Sequence, residues 1–257
     1  MNAERSSWPG IPQIRDIRLD DPRGWLAAGA RDMRTQPAIS LGYGVVFAAI
    51  SYALAGCLYY FDQIYLLLPL GAAFMLIGPM LAVGLYEASR RIEAGEPVGF
   101  TSAAIVAVRS PVQLAFIGLL LLLAMLAWVR VATLLFALFF GLGAPSMAEL
   151  IPTLLLTTRG VAFLAMGTVI GALLAFAVFS ISAVSVPMLM VRDVDAVTAM
   201  IASIRSVRRN PGPMLLWAWL IVVLTAVGIV TLFLGMIFTF PLVGHATWHA
   251  YRALVED

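Results

Sequence analysis

Residues 210–251 read NPGPMLLWAWLIVVLTAVGIVTLFLGMIFTFPLVGHATWHAY, 42 positions between Arg209 and Arg252 without an Asp, Glu, Lys or Arg. One helix of that length would reach roughly 63 Å at 1.5 Å per residue. The hydrocarbon core of a bilayer is about 30 Å thick. The stretch is too long for one span and fits two, with a tight turn between Gly228 and Gly235.

The rest of the chain agrees with a membrane reading. Apolar residues make up 62% of the 257 positions and charged residues 12%, with a mean hydropathy of +0.97. A soluble domain carries about 25% charged residues, so this chain has too few charges to clothe a water-facing surface. The net charge of +2 is too mild to suggest nucleic acid as a partner. Cys57 is the only cysteine, which leaves no disulfide framework or Cys-rich metal site. Residues 1–36 are polar and of mixed charge, and no cleavable signal peptide is expected there.

Four further apolar runs precede the terminal hairpin. Leu41–Phe61 and Ile64–Leu85 are separated only by Asp62-Gln63, which makes them an antiparallel pair. A third follows Pro111, and a fourth runs from Val161 to Leu189. The expectation is an all-α polytopic membrane protein. It has a segment 1–36 with an interfacial helix and a domain 37–257 with six spans, near 41–61, 64–88, 112–141, 161–190, 212–230 and 233–254. All sixteen basic residues are arginine. With the N-terminus inside, fourteen fall on the inner side, Arg159 falls outside and Arg130 lies within a span. The positive-inside rule then places both termini in the cytoplasm.

Three hairpins suggest a repeat. Pro79-Met80-Leu81, Pro187-Met188-Leu189 and Pro241-Leu242-Val243 lie near inner span ends, and Pro22–Arg34, Val98–Arg109 and Asp195–Arg208 are short amphipathic or mixed segments before each hairpin. In the last, Val197, Met200, Ile201, Ile204 and Val207 are expected to face the membrane. Asp21 before Pro22 is expected to cap its helix.

Few residues carry chemistry. Arg130 lies 19 residues beyond Pro111, about 29 Å along a helix. That depth and the adjacent Trp128 favour anchoring at the outer headgroups over contact with an anion or a buried acid. The apolar tail after it is expected to tilt or fold back. His245 and His249, at i and i+4, share a helix face, the spacing of two metal ligands. Trp248, Tyr251 and Arg252 around them have the composition of an interfacial belt, with both imidazoles bonded to phosphate, water or backbone. The metal alternative would need a ligand from another helix. Glu87 is the candidate, eight residues after Pro79 as His249 is eight after Pro241. Glu87 and Arg91 are expected to pair across one turn. Gly167, Gly171 and Ala175 form a small-residue ridge suited to close helix packing.

Several strings are similar to one bacterial family. They are Ile14-Arg15-Asp16-Ile17, Asp21-Pro22-Arg23-Gly24-Trp25-Leu26, Ser40-Leu41-Gly42-Tyr43-Gly44, Trp128-Val129-Arg130-Val131-Ala132, Asn210-Pro211-Gly212-Pro213-Met214 and Gly244-His245-Ala246-Thr247-Trp248-His249-Ala250-Tyr251-Arg252. The family is that of predicted integral membrane proteins named domain of unknown function 2189. The resemblance implies an integral membrane protein and no established activity. It draws added weight to Arg130 and the His pair. Some relatives carry a cytochrome c oxidase subunit I label, whose two haems and copper need around six histidines. Two histidines cannot carry that role, although a place beside a respiratory complex stays open.

The leading expectation is a non-enzymatic protein of the bacterial inner membrane, without a cofactor. It would contact lipid and serve as an accessory, assembly or interaction partner of a larger membrane complex. The alternatives are a small-solute or lipid transporter with a site between hairpins, and a metal or haem binder using His245 and His249.

Overall fold

A computed structural model gives the structure over residues 12–100, 106, 108–141 and 147–256. The described residues are helical apart from turns and one isolated bridge. In order the helices are α1 (Asp21–Thr35), α2 (Pro37–Tyr60), α3 (Leu67–Leu81), α4 (Val83–Ala94), α5 (Pro111–Phe140), α6 (Met147–Leu156), α7 (Thr158–Ser182), α8 (Ser185–Val191), α9 (Ala196–Arg209), α10 (Pro211–Val230) and α11 (Met236–Leu254). Among the described residues five segments are long and apolar enough to cross a membrane: Pro37–Tyr60, Pro69–Ala94, Pro111–Phe140, Thr158–Val191 and Pro211–Val230.

The helix α11 is absent from those five for a physical reason. Eleven of its nineteen residues are buried, so it is solvated by protein and not by lipid, and it can carry His, Thr and Trp at low cost. It packs on α1, α2, α4, α8 and α10. Two glycines set the closest approaches. A Cβ on Gly29 would lie 2.7 Å from the Ala246 backbone nitrogen, and one on Gly44 would lie 2.2 Å from the Ile237 carbonyl oxygen.

Three junctions share one geometry. Gln36, Ser110 and Asn210 precede Pro37, Pro111 and Pro211, with φ/ψ of −130/62°, −122/68° and −124/57°. Proline drives its predecessor out of the α region while suiting the first position of the next helix. The chain therefore bends there and restarts as a span. This recurrence, and not the interior prolines, is what the starts of α2, α5 and α10 have in common. Pro79 and Pro241 lie inside continuing helices. Pro187 lacks the N–H that would bond the Ala183 carbonyl, and the chain breaks at Ala183-Val184 between α7 and α8.

Several sequence expectations change. The helix α5 runs unbroken past Arg130 to Phe140, so its apolar tail neither folds back nor starts a separate segment. Its 30 residues span about 45 Å, and Gly141 ends it at φ +77°. The segment between α5 and α7 contains a further helix, α6, whose ten residues are too few for a span and whose polarity is too low to mark a loop. It folds closely onto α7, where a Gly160 Cβ would meet the Thr153 carbonyl at 2.1 Å. Asp21 is the first residue of α1, not its cap, and accepts from the Arg18 amide at 2.7 Å. The amphipathic α9 buries its small face, Ala196, Ala199, Ala202, Ser203 and Ser206, together with Val207, and leaves Val197 exposed. Most of the segment Val98–Arg109 lies outside the described residues.

The arginine-rich ends of the helices are tied together by the extended segment before α1. The Arg15 amide donates to the Leu254 carbonyl at 2.8 Å, and that of Glu256 to the Gln13 carbonyl at 3.1 Å. Asn210 Oδ1 accepts from the Ile17 amide at 2.9 Å, while its Nδ2 donates to the Arg15 carbonyl at 3.0 Å. Asp16 pairs with Arg209, which holds its carboxyl below the usual carboxylate range through the guanidinium hydrogen bond. The opposite end turns tightly. Leu232 and Phe233 both take left-handed φ, 53° and 64°, and Thr231 Oγ1 accepts from the Gly235 amide at 2.9 Å.

Candidate functional site

Where α1, α2, α4 and α11 converge, five polar side chains form one buried array. Asp32 lies on the packed face of α1 with Trp25, Ala28 and Gly29, a carboxylate where the helical period calls for an apolar residue. Ser89 Oγ donates to Asp32 Oδ2 at 2.6 Å. His245 Nδ1 lies 2.8 Å from Ser89 Oγ, and its Nε2 lies 2.9 Å from Ser40 Oγ. His249 Nε2 reaches the same Asp32 Oδ2 at 2.8 Å. Ser40, Ser89 and His245 are fully buried, and Asp32 retains 7% exposure. His249 is the most open, its side chain 24% exposed. Burial pushes the Asp32 carboxyl upward, but hydrogen bonds from His249 and Ser89, with the charges of both imidazoles, outweigh that and hold it below the ordinary Asp value.

The two histidines thus share a helix face, yet their partners are side chains and not lipid phosphate, water or backbone. The interfacial belt does not form around them. Trp248 and Tyr251 are buried, with rings 5.5 Å apart. Trp248 Nε1 donates to Glu93 Oε2 at 2.9 Å, and the Tyr251 hydroxyl accepts from Arg192 Nε at 3.3 Å. Glu87, the proposed third metal ligand, is instead gripped by Arg90 Nε at 2.7 Å and Arg91 Nε at 2.6 Å. Among the described residues no group of three or more His, Cys, Asp or Glu side chains is placed to hold a metal ion.

The second feature is apolar. A cavity of about 600 Å³ lies among α3, α7, α10 and α11. Another of about 430 Å³ lies among α3, α5, α6 and α7. They share Met75, Leu76, Ala172, Ala175 and Val222 as walls, so they lie side by side as neighbouring lobes of an apolar cleft region among these helices. The ridge Gly167, Gly171 and Ala175 borders this cleft and is not covered by a neighbouring helix backbone. A Cβ on Gly167 would meet nothing within 4 Å, and one on Gly171 would strike the Trp128 ring at 2.8 Å. Trp128 is buried against it and donates to the Pro69 carbonyl at 2.9 Å, so it is a wall of the cleft and not an interfacial anchor. Arg130, two residues on, is exposed on α5.

Asp32, Ser40 and Ser89 were missed by sequence reasoning. The signal for Asp32 was present, an acid at i+7 from Trp25 and i+4 from Ala28 on an otherwise apolar stripe. Ser40 and Ser89 had none, because a helical serine is as often solvated or bonded to its own backbone.

An all-helical bundle with several membrane-length apolar helices defines an integral membrane protein. Residues 67–191 match the family model described as "Predicted integral membrane protein (DUF2189)", which bears out the resemblance seen in the sequence. Comparisons with curated proteins and with solved structures give no match.

Proposed function

We propose that this is a non-enzymatic protein of the bacterial inner membrane that takes the acyl chain of a lipid, or an apolar solute of similar shape, into the cleft between its hairpins. The cleft carries the reading. Its two lobes fall in the size range of small-molecule sites, about 300–1,000 Å³, and they lie between segments of membrane length. Polar walls are few, chiefly hydroxyls such as Ser182, Thr225 and Thr247, which suits an uncharged chain better than an ion.

The topology proposed with it has six spans, α11 being the sixth, and both termini in the cytoplasm. The arginine asymmetry supports this, as does the five-residue turn that returns α11 along α10. Periplasmic activity of a reporter fused after Asp257 would remove the sixth span.

Native mass spectrometry of protein released from lipid nanodiscs tests the cleft. Wild type should retain one or two lipid adducts at collision energies that strip the belt lipids. Gly167→Leu, which fills open space, should lose at least one. Bare wild-type protein, or an adduct count unchanged by Gly167→Leu and Ala172→Trp together, would refute the reading. A stoichiometric membrane partner retained in place of lipid would favour the accessory role instead.

A further inference from the structure

The hydroxyl protons of the cleft can be followed one by one. Several helical serines and threonines of this chain donate to the carbonyl four residues back, among them Thr133, Ser180 and Ser206. That bond occupies the proton of a hydroxyl held in an apolar setting. It is kept at the arginine-rich end of the larger lobe, where Ser182 donates to the Val178 carbonyl and Thr247 to that of Val243, both at 2.7 Å. Tyr86, only 2% exposed, bonds Thr247. The Thr247 proton is already committed, so the phenol is the donor.

Two threonines of this lobe depart from the pattern. Thr225 of α10 and Thr239 of α11 line it, and among the described residues neither hydroxyl has a hydrogen-bond partner. Both lie on one seam. A Cβ on Gly228 would sit 2.9 Å from Thr239 Oγ1, and Gly228 follows Thr225 by three residues, one turn along the same helix face. Thr225 stands five residues before the end of α10, and Thr239 is the fourth residue of α11. The pair is therefore near the turn that joins the two helices. Thr247 is eight residues further along α11, about 12 Å away along the axis.

No Asp, Glu, Arg or His lines either lobe, so nothing there balances a phosphate, a carboxylate or an ammonium group. A hydroxyl proton without an acceptor in an apolar wall is unfavourable. A carbonyl oxygen satisfies it and brings no donor that would need a partner in turn. Beyond the seam, toward Thr247, Pro79, Phe240 and Val243 make the wall apolar, which suits the chain attached to such a carbonyl. From this we infer, on the reading of the cleft as a lipid site, that Thr225 and Thr239 bind the carbonyl oxygen of an uncharged lipid group, a glyceride ester or the ring ketone of a quinone, whose chain runs along the lobe toward Thr247.

Native mass spectrometry of full-length protein in nanodiscs of diether phospholipid, which has no carbonyl, tests this with three added probes: dioleoylglycerol, its diether analogue and decylubiquinone. Wild type should retain dioleoylglycerol or decylubiquinone about tenfold over the diether analogue, the worth of one or two neutral hydrogen bonds. The probe preferred names the source of the carbonyl. Thr225→Val with Thr239→Val keeps the shape of the wall and should bring the preference to parity, while the number of adducts stays that of wild type. With the preferred probe ¹³C-labelled at its carbonyl, the infrared band should be lowered by hydrogen bonding in wild type and not in the double variant. Retention of the diether analogue equal to or above that of both carbonyl probes, a preference unchanged in the double variant, or an unshifted band would overturn the carbonyl site and leave the cleft a lipid site. Retention of no probe and no belt lipid would overturn both. The wild-type comparison and its carbonyl band decide this even if the double variant does not fold.

Discussion

The arginine-rich end and the apolar half of this bundle are built to different tolerances. At the first, α1 and α2 touch the backbone of α11 at Gly29 and Gly44. Among the described residues, every buried side-chain nitrogen and oxygen has a hydrogen-bond partner. At the second, α3, α7 and α10 stand apart around a cleft of two lobes, and Gly167 faces open space. The difference follows from the solvent each half meets. Lipid tails are as apolar as the side chains, so there is little drive to close gaps between spans. Polar groups taken out of water must all find partners or cost several kcal/mol each.

The largest contrast should come from glycines. Gly44→Leu forces a side chain into the Ile237 carbonyl and should abolish folded, monodisperse protein, with Gly29→Leu close behind. Gly167→Leu should leave thermal stability within about 1 kcal/mol, since it overpacks nothing. Similar melting curves for Gly44→Leu and Gly167→Leu would erase the distinction between the halves.

Cutting the polar array should have a smaller but clear effect. Ser89→Ala leaves buried His245 Nδ1 without its partner and Asp32 Oδ2 with His249 alone, and a loss of about 1–3 kcal/mol is expected. Coupling between Ser89→Ala and His245→Leu in a double-mutant cycle should be well above zero. Additive losses would show that the two do not act as one network.

The smallest effect is that of pH. Because the fold holds the Asp32 carboxyl below its unfolded value, its contribution is fully present above the ordinary Asp range. It is lost as pH falls through the lower, folded value. Unfolding measured from neutral to acid pH should show a decline that Asp32→Asn flattens. A decline of equal slope in that variant would place the acid-sensitive group elsewhere.

Much of the architecture was legible because it depends on local properties of the chain. Forty-two residues without a charge are too many for one continuous helix across a bilayer, and the chain does turn within them, between Val230 and Met236. Asp62-Gln63 and the stretch 228–235 mark turns because apolar helices of that length must end. The pairing of Glu87 with Arg91 follows from helical pitch alone. The family resemblance rests on strings that need no fold to be read.

Partnership was not legible, because it depends on which faces meet. His245 and His249 have the spacing of metal ligands and the neighbours of an interfacial belt, and spacing cannot choose between them. Only the convergence of α1, α2 and α4 on α11 supplies Asp32, Ser40 and Ser89. Trp128 and Trp248 have the composition of interfacial anchors, but burial against Gly171 and Glu93 assigns them to walls and links. The ridge Gly167, Gly171 and Ala175 marks a place where a neighbour could come close. Whether a helix or a cavity occupies that place is decided by the packing of α3, α5, α6 and α10, which no helix encodes by itself.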